Sequence, residues 1–142
     1  MLYPYYHMKK IILILLLATL LSNCSLDSNN PIIGRWKSDE IETLKEIRNS
    51  GSLTEKQIEI LTSKVKFGKL ILEVDAEEIT WYYEGNVDTE EYKIIKIDGP
   101  FVEIESRNPL TNELERIVIE VRGEKMWVPS TLVKFREVFV RI

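Results

Sequence analysis

From Lys69 onward, apolar side chains recur at every second position, and the pattern persists to the last residue. Leu70, Leu72 and Val74 alternate with Lys69, Ile71 and Glu73, and Ile79, Trp81 and Tyr83 alternate with Thr80 and Tyr82. A period of two is the mark of strands with one buried face. Tyr92 and Ile94 lead a strand to Ile97, Asp98-Gly99-Pro100 turns it, and Phe101–Ser106 returns. Leu114–Val121 puts Ile117, Ile119 and Val121 on one face and Arg116 and Glu120 on the other. Arg122-Gly123-Glu124 turns into Met126–Val128, and Arg136–Ile142 makes a final strand. With Ile32–Lys37 as a first short strand, eight are expected, seven of them consecutive.

Between Lys37 and Lys69 the period is three to four, as in helices. Ser38 or Asp39 can cap a first helix with Ile41, Leu44 and Ile47 on one face and Gly51 at its end. Thr54-Glu55-Lys56-Gln57 is a capping box opening a second helix, with Ile58, Leu61 and Val65 on its face. Asn49–Leu53 would join them as a helical hairpin.

Open sheet edges recruit other chains, so eight short antiparallel strands are better closed than flat. The expected architecture is mainly β: an eight-stranded antiparallel up-and-down barrel with the helices inserted between strands 1 and 2. Arg136–Ile142 would then pair with Ile32–Lys37. A two-layer sheet packed on the helices is the alternative.

The N-terminus follows another pattern. Lys9 and Lys10 precede the apolar run Ile11–Leu21, which leads to Leu21-Ser22-Asn23-Cys24. A basic start, a short apolar stretch and small or polar residues before a cut site describe a signal peptide. The run holds 11 residues, well short of the roughly 18–20 that span a bilayer. With cysteine at the cut, the segment resembles the lipobox of bacterial lipoproteins, although Asn23 stands where that family usually has Gly, Ala or Ser. The resemblance implies cleavage after residue 23 and lipidation of Cys24. Met8-Lys9-Lys10 reads as an alternative start. Residues 24–31, polar and closed by Pro31, read as the lipidated cysteine and tether, and 32–142 as the domain. Ser25 follows the cysteine in place of the aspartate that holds such lipoproteins at the inner membrane. An outer-membrane location facing the periplasm is therefore expected over the inner membrane.

Composition narrows the chemistry. Without Lys9 and Lys10, 17 basic residues face 23 acidic ones, a net charge of −6. Such a surface argues against nucleic acid, which needs a basic face, and leaves membrane residence to acyl chains. Cys24 and His7 are the only residues of their types, so the domain itself has neither thiol nor imidazole for catalysis or metal binding. Adjacent carboxylates such as Glu77-Glu78 and Glu90-Glu91 point to opposite faces of a strand and do not converge. Asn86-Val87-Asp88-Thr89-Glu90 is oxygen-rich but lacks the spacing of a calcium loop and reads as a plain turn. Neither catalysis, a cofactor nor a metal is expected.

Gly34-Arg35-Trp36 on the first strand resembles the Gly-x-Trp signature of the lipocalins and their calycin relatives. That resemblance implies an arginine from the last strand packing near the tryptophan, with Arg141 the matching residue. The inserted helices are similar to the lid of the fatty-acid-binding proteins in that group, and a small hydrophobic ligand is the partner implied. Trp36, Trp81, Tyr83, Tyr92, Met126 and Trp127 are the candidate lining residues; the plainer alternative is that they fill a packed barrel. A different class of function also stays open: an envelope interaction or inhibitor module using the barrel's outer face or the helix hairpin.

Overall fold

A computed structural model describes residues 30–108, 111–130 and 133–142. Cys24 and the whole of the expected signal peptide lie outside them. Eight strands run in chain order: β1 (Gly34–Ser38), β2 (Ile71–Val74), β3 (Glu78–Tyr83), β4 (Asn86–Asp98), β5 (Phe101–Arg107), β6 (Leu114–Arg122), β7 (Lys125–Pro129) and β8 (Arg136–Arg141). Each pairs antiparallel with the next, and β1 also pairs with β8, so the sheet closes into a barrel. The closure excludes the two-layer alternative. Trp36 sits at the seam, opposite Leu72 on one side and Arg141 on the other.

Helices α1 (Glu40–Ser50) and α2 (Glu55–Lys64) fill the β1–β2 connection. Asp39 caps α1 by accepting a hydrogen bond from the Glu42 amide, and Gly51 ends it at a left-handed φ of 63°. The Thr54–Gln57 capping box starts α2. The buried face of α1 differs from the expected one: Thr43 and Ile47 are buried, while Ile41 is 78% exposed. The reason lies in the seam. The β1–β8 ladder stops at Ser38, which is paired with Phe139. Beyond it the Asp39 amide donates to the Val138 carbonyl at 2.8 Å. The Thr43 hydroxyl accepts from the Val138 amide at 2.9 Å. Helix α1 thus satisfies the backbone of β8 where its strand partner runs out, which an apolar side chain could not do. Ion pairs from Lys125 to Glu42 (3.0 Å) and from Arg136 to Glu46 hold the same helix to β7 and β8.

The second difference concerns Asn86–Glu90, expected as a turn. These residues form the first part of β4 and pair with β3 in register, Tyr83 with Asn86 and Ile79 with Glu90. The turn is the two-residue Glu84-Gly85, with φ of 47° and 86°. Positive φ at both central residues twists a hairpin in the sense its strands require. The polar run that resembled a loop is therefore a strand whose inward positions are polar.

The core has two parts. Inside the barrel, Trp36, Leu72, Val74, Ile79, Val102, Ile104, Ile119, Met126 and Phe139 form one cluster. A second cluster, Ile47, Ile58 and Phe67 with Leu44, Leu61 and Phe135, lies beneath the helices. Among the described residues no helix is long and apolar enough to cross a membrane.

Candidate functional site

The barrel has one sealed end and one open end. At the sealed end the Trp36 indole donates to the Ile32 carbonyl at 2.8 Å. Arg141 donates to the carbonyls of Ile33 (2.8 Å) and Pro31 (3.1 Å), holding the segment before β1 to the last strand. The guanidinium carbon of Arg141 stands 4.1 Å from the centre of the Trp36 ring system. Gly34 makes room for it: a Cβ there would meet Arg141 Nη1 at 2.5 Å. A void of about 20 Å³ lies in this half, between Leu72, Ile79, Trp81, Ile119 and Met126, barely room for one water.

The other end holds a cavity of about 480 Å³. Trp81, Ile117, Val128 and Phe139 supply its barrel wall, and Leu61 from α2, Val65 and Phe67 from the loop after it, and Val133 and Phe135 from the segment before β8 close over it. Phe67 meets Phe135 edge-to-face at 5.8 Å between ring centres, tying the covering layer together. A cavity of this size between apolar walls can enclose a small organic molecule.

The six aromatic and methionine candidates part company here. Trp81 lines the cavity. Trp36 and Met126 are buried in the sealed half. Tyr92 is buried as well, its hydroxyl donating to the Asp75 carbonyl at 2.6 Å. The hydroxyl of Tyr83 accepts from the Lys66 amide at 3.3 Å, outside the cavity lining. Trp127 lies opposite Glu120 and Val138 on the outward-facing register of β7.

What the sequence reading missed is the polar part of the lining: Asp88, Glu90, Glu115 and Glu137, with Ser106, Asn108 and Ser130. Glu90 precedes the buried Tyr92 by two, Glu115 precedes Ile117, and Glu137 precedes the buried Phe139. A glutamate two positions ahead of an inward apolar residue, repeated on three strands, was a legible signal for inward carboxylates.

Their environments differ. Burial pushes the Glu137 carboxyl above the usual glutamate range, partly offset by a 2.5 Å hydrogen bond from the Ser38 hydroxyl. Ser38 is itself held by the Gly68 amide, which donates to its oxygen at 2.9 Å. Burial also raises the Glu90 carboxyl; a hydrogen bond from Trp81 works the other way, and the negative charges of Asp88 and Glu115 add to the rise. Glu115 accepts from the Asn108 side-chain amide at 2.7 Å. Among the described residues, no three acidic side chains converge as metal ligands would.

The outer wall is different in kind. Val118, half exposed, pairs with Glu103, which in turn pairs with Lys96. Nearby, Arg116 binds Glu105 at 2.9 Å. Val118 thus stands among charges, as single apolar residues do on ordinary solvated surfaces.

Compared with known proteins, the chain matches no family model, no curated protein and no solved structure.

Proposed function

We propose that this protein is a lipid-anchored envelope protein whose lipocalin-like barrel binds a small, largely apolar molecule without transforming it. The observation that carries the binding reading is the 480 Å³ cavity with Trp81, Ile117, Val128 and Phe139 on its wall. Packed interiors leave few voids larger than a water, and the sealed half of this barrel obeys that rule. The mouth half departs from it beneath Leu61, Phe67 and Phe135, where a solid core would be more stable. The anchor reading rests on Lys9-Lys10, the run Ile11–Leu21 and Cys24, and the lipocalin-like reading on Gly34, Trp36 and Arg141.

Mass spectrometry of natively purified protein, followed by heating with a panel of small apolar compounds, tests the binding reading. A bound molecule stabilises only the folded state, so the melting temperature rises with its concentration. Trp81 fluorescence should change on binding, and that change should be lost in Trp81→Phe. Absence of any co-purified molecule, together with no compound shifting the melting curve, would overturn the reading.

A further inference from the structure

We propose that the cavity selects an amphiphilic organic cation, an apolar tail carrying an ammonium head, over a fatty acid or a neutral lipid of the same length. The inference rests on the binding reading above and concerns which class of ligand it takes.

Among the described residues the lining carries four carboxylates, Asp88, Glu90, Glu115 and Glu137, and no lysine, arginine or histidine. Basic residues are not scarce in this chain. They are turned elsewhere: Arg116 to Glu105 and Lys96 to Asp98 on the outer wall, and Arg136 to Glu46 and Glu120. Arg136 is adjacent in sequence to Glu137, yet its guanidinium serves these outer partners while the Glu137 carboxyl faces the cavity. Among the described residues, the side chains that donate to Glu137 and Glu115 are neutral, the Ser38 hydroxyl and the Asn108 amide. Hydrogen bonds from neutral donors leave the charge itself uncompensated.

Glu90 on β4 and Glu137 on β8 belong to strands four apart in either direction around the barrel, so the acidic groups look inward from opposed walls. An acidic surface in open water would be ordinary solvated charge. Asp88 is exposed at the rim, but Glu90, Glu115 and Glu137 are half-buried and share a lining with Trp81, Ile117 and Phe139, where removing water from a carboxylate is costly unless a positive partner replaces it. A carboxylate ligand would add a further negative charge to the same space. An alcohol would strip water from the glutamates without neutralising them. An ammonium group brings three donors and the missing charge, and its hydrogen bonds to carboxylates are among the strong ones. Its tail would lie against the apolar wall and cover.

The test compares decylammonium, decanol and decanoate with the purified full chain, by melting temperature and tryptophan fluorescence. Decylammonium is expected to bind about tenfold or more tightly than decanol, and decanoate more weakly than either. In the double variant Glu90→Gln/Glu137→Gln the ratio of amine to alcohol affinity should fall towards one. Glu91→Gln, on the outward register of the same strand, should leave the ratio as it is. Equal binding of amine and alcohol, tightest binding of decanoate, or an amine preference that survives the double variant would each overturn the selectivity while leaving the cavity reading in place. Failure of all three probes to bind would overturn both.

Discussion

The guanidinium of Arg141 lies 4.1 Å over the ring of Trp36 while donating to two carbonyls of the incoming chain. One side chain from the last strand thus holds the first strand, the segment before it and the floor of the barrel. Trp36 is fully buried. Trp36→Ala should cost about 3–5 kcal/mol, as truncation of buried aromatics does. Arg141→Lys keeps the charge but not the planar fork, and should cost a smaller part of that. Urea unfolding followed by circular dichroism measures both, and equal midpoints for wild type and Trp36→Ala would refute the account of the floor.

Gly34 should tolerate no side chain. Its φ of +135° is one that L-residues rarely adopt, and its missing Cβ leaves the space that Arg141 occupies. Gly34→Ala is expected to destabilise by about 1–3 kcal/mol from backbone strain. Combining it with Arg141→Lys should give less than the sum of the two single effects, since both disturb one contact.

The cavity glutamates give stability a pH dependence of unusual sign. Burial is the first cause lifting both Glu90 and Glu137 above the ordinary value of 4.5. The folded state then holds these protons more tightly than the unfolded one. Their contribution is fully favourable below 4.5 and is lost as pH rises through the folded value. Glu90→Gln and Glu137→Gln, uncharged at every pH, should melt above the wild type near neutrality, the advantage shrinking once the medium is acidified well below 4.5. Scanning calorimetry across that range checks it; an advantage that grows on acidification would contradict the sign. Asp75 works in the opposite sense. The amides of Glu77 and Glu78 hold its carboxyl below the ordinary range, so its contribution is present above 3.8 and fades in acid.

Cys24→Ala should leave the barrel folded and release the protein from membranes. Fractionation that finds the variant in membranes at the wild-type level would sink the anchor reading.

Much of the fold was legible because the physical cause of each element is local. The alternation of Ile79, Trp81 and Tyr83, the caps at Asp39 and Gly51 and the Thr54–Gln57 box are properties of neighbouring residues, and each appears where its local chemistry places it. The candidate site was harder to see, because the cues for strands assume that inward means apolar. That assumption holds for the sealed half and fails at the mouth. There Asp88, Glu90 and Glu115 occupy inward positions, and Asn86–Glu90 resembled a loop for the same reason. The face of α1 was misjudged through Ile41, since only the register of β8 shows that a hydroxyl at Thr43 is needed to complete the seam.

The seam also governs how such a chain acquires its shape. Arg141 and Ile33, joined by a hydrogen bond, are 108 residues apart in sequence. Every other strand pairing joins consecutive strands, β1 with β2 across the two helices and the rest through short connections, and can form before β8 exists. The β1–β8 pairing must wait until β8 exists, and the loop it closes carries nearly the whole domain. Closure entropy of that kind slows folding. Until it is met, β1 and β8 both present unpaired edges. The dangerous interval for this protein is the one before its final strand arrives, when an exposed edge invites pairing with a second unfinished copy.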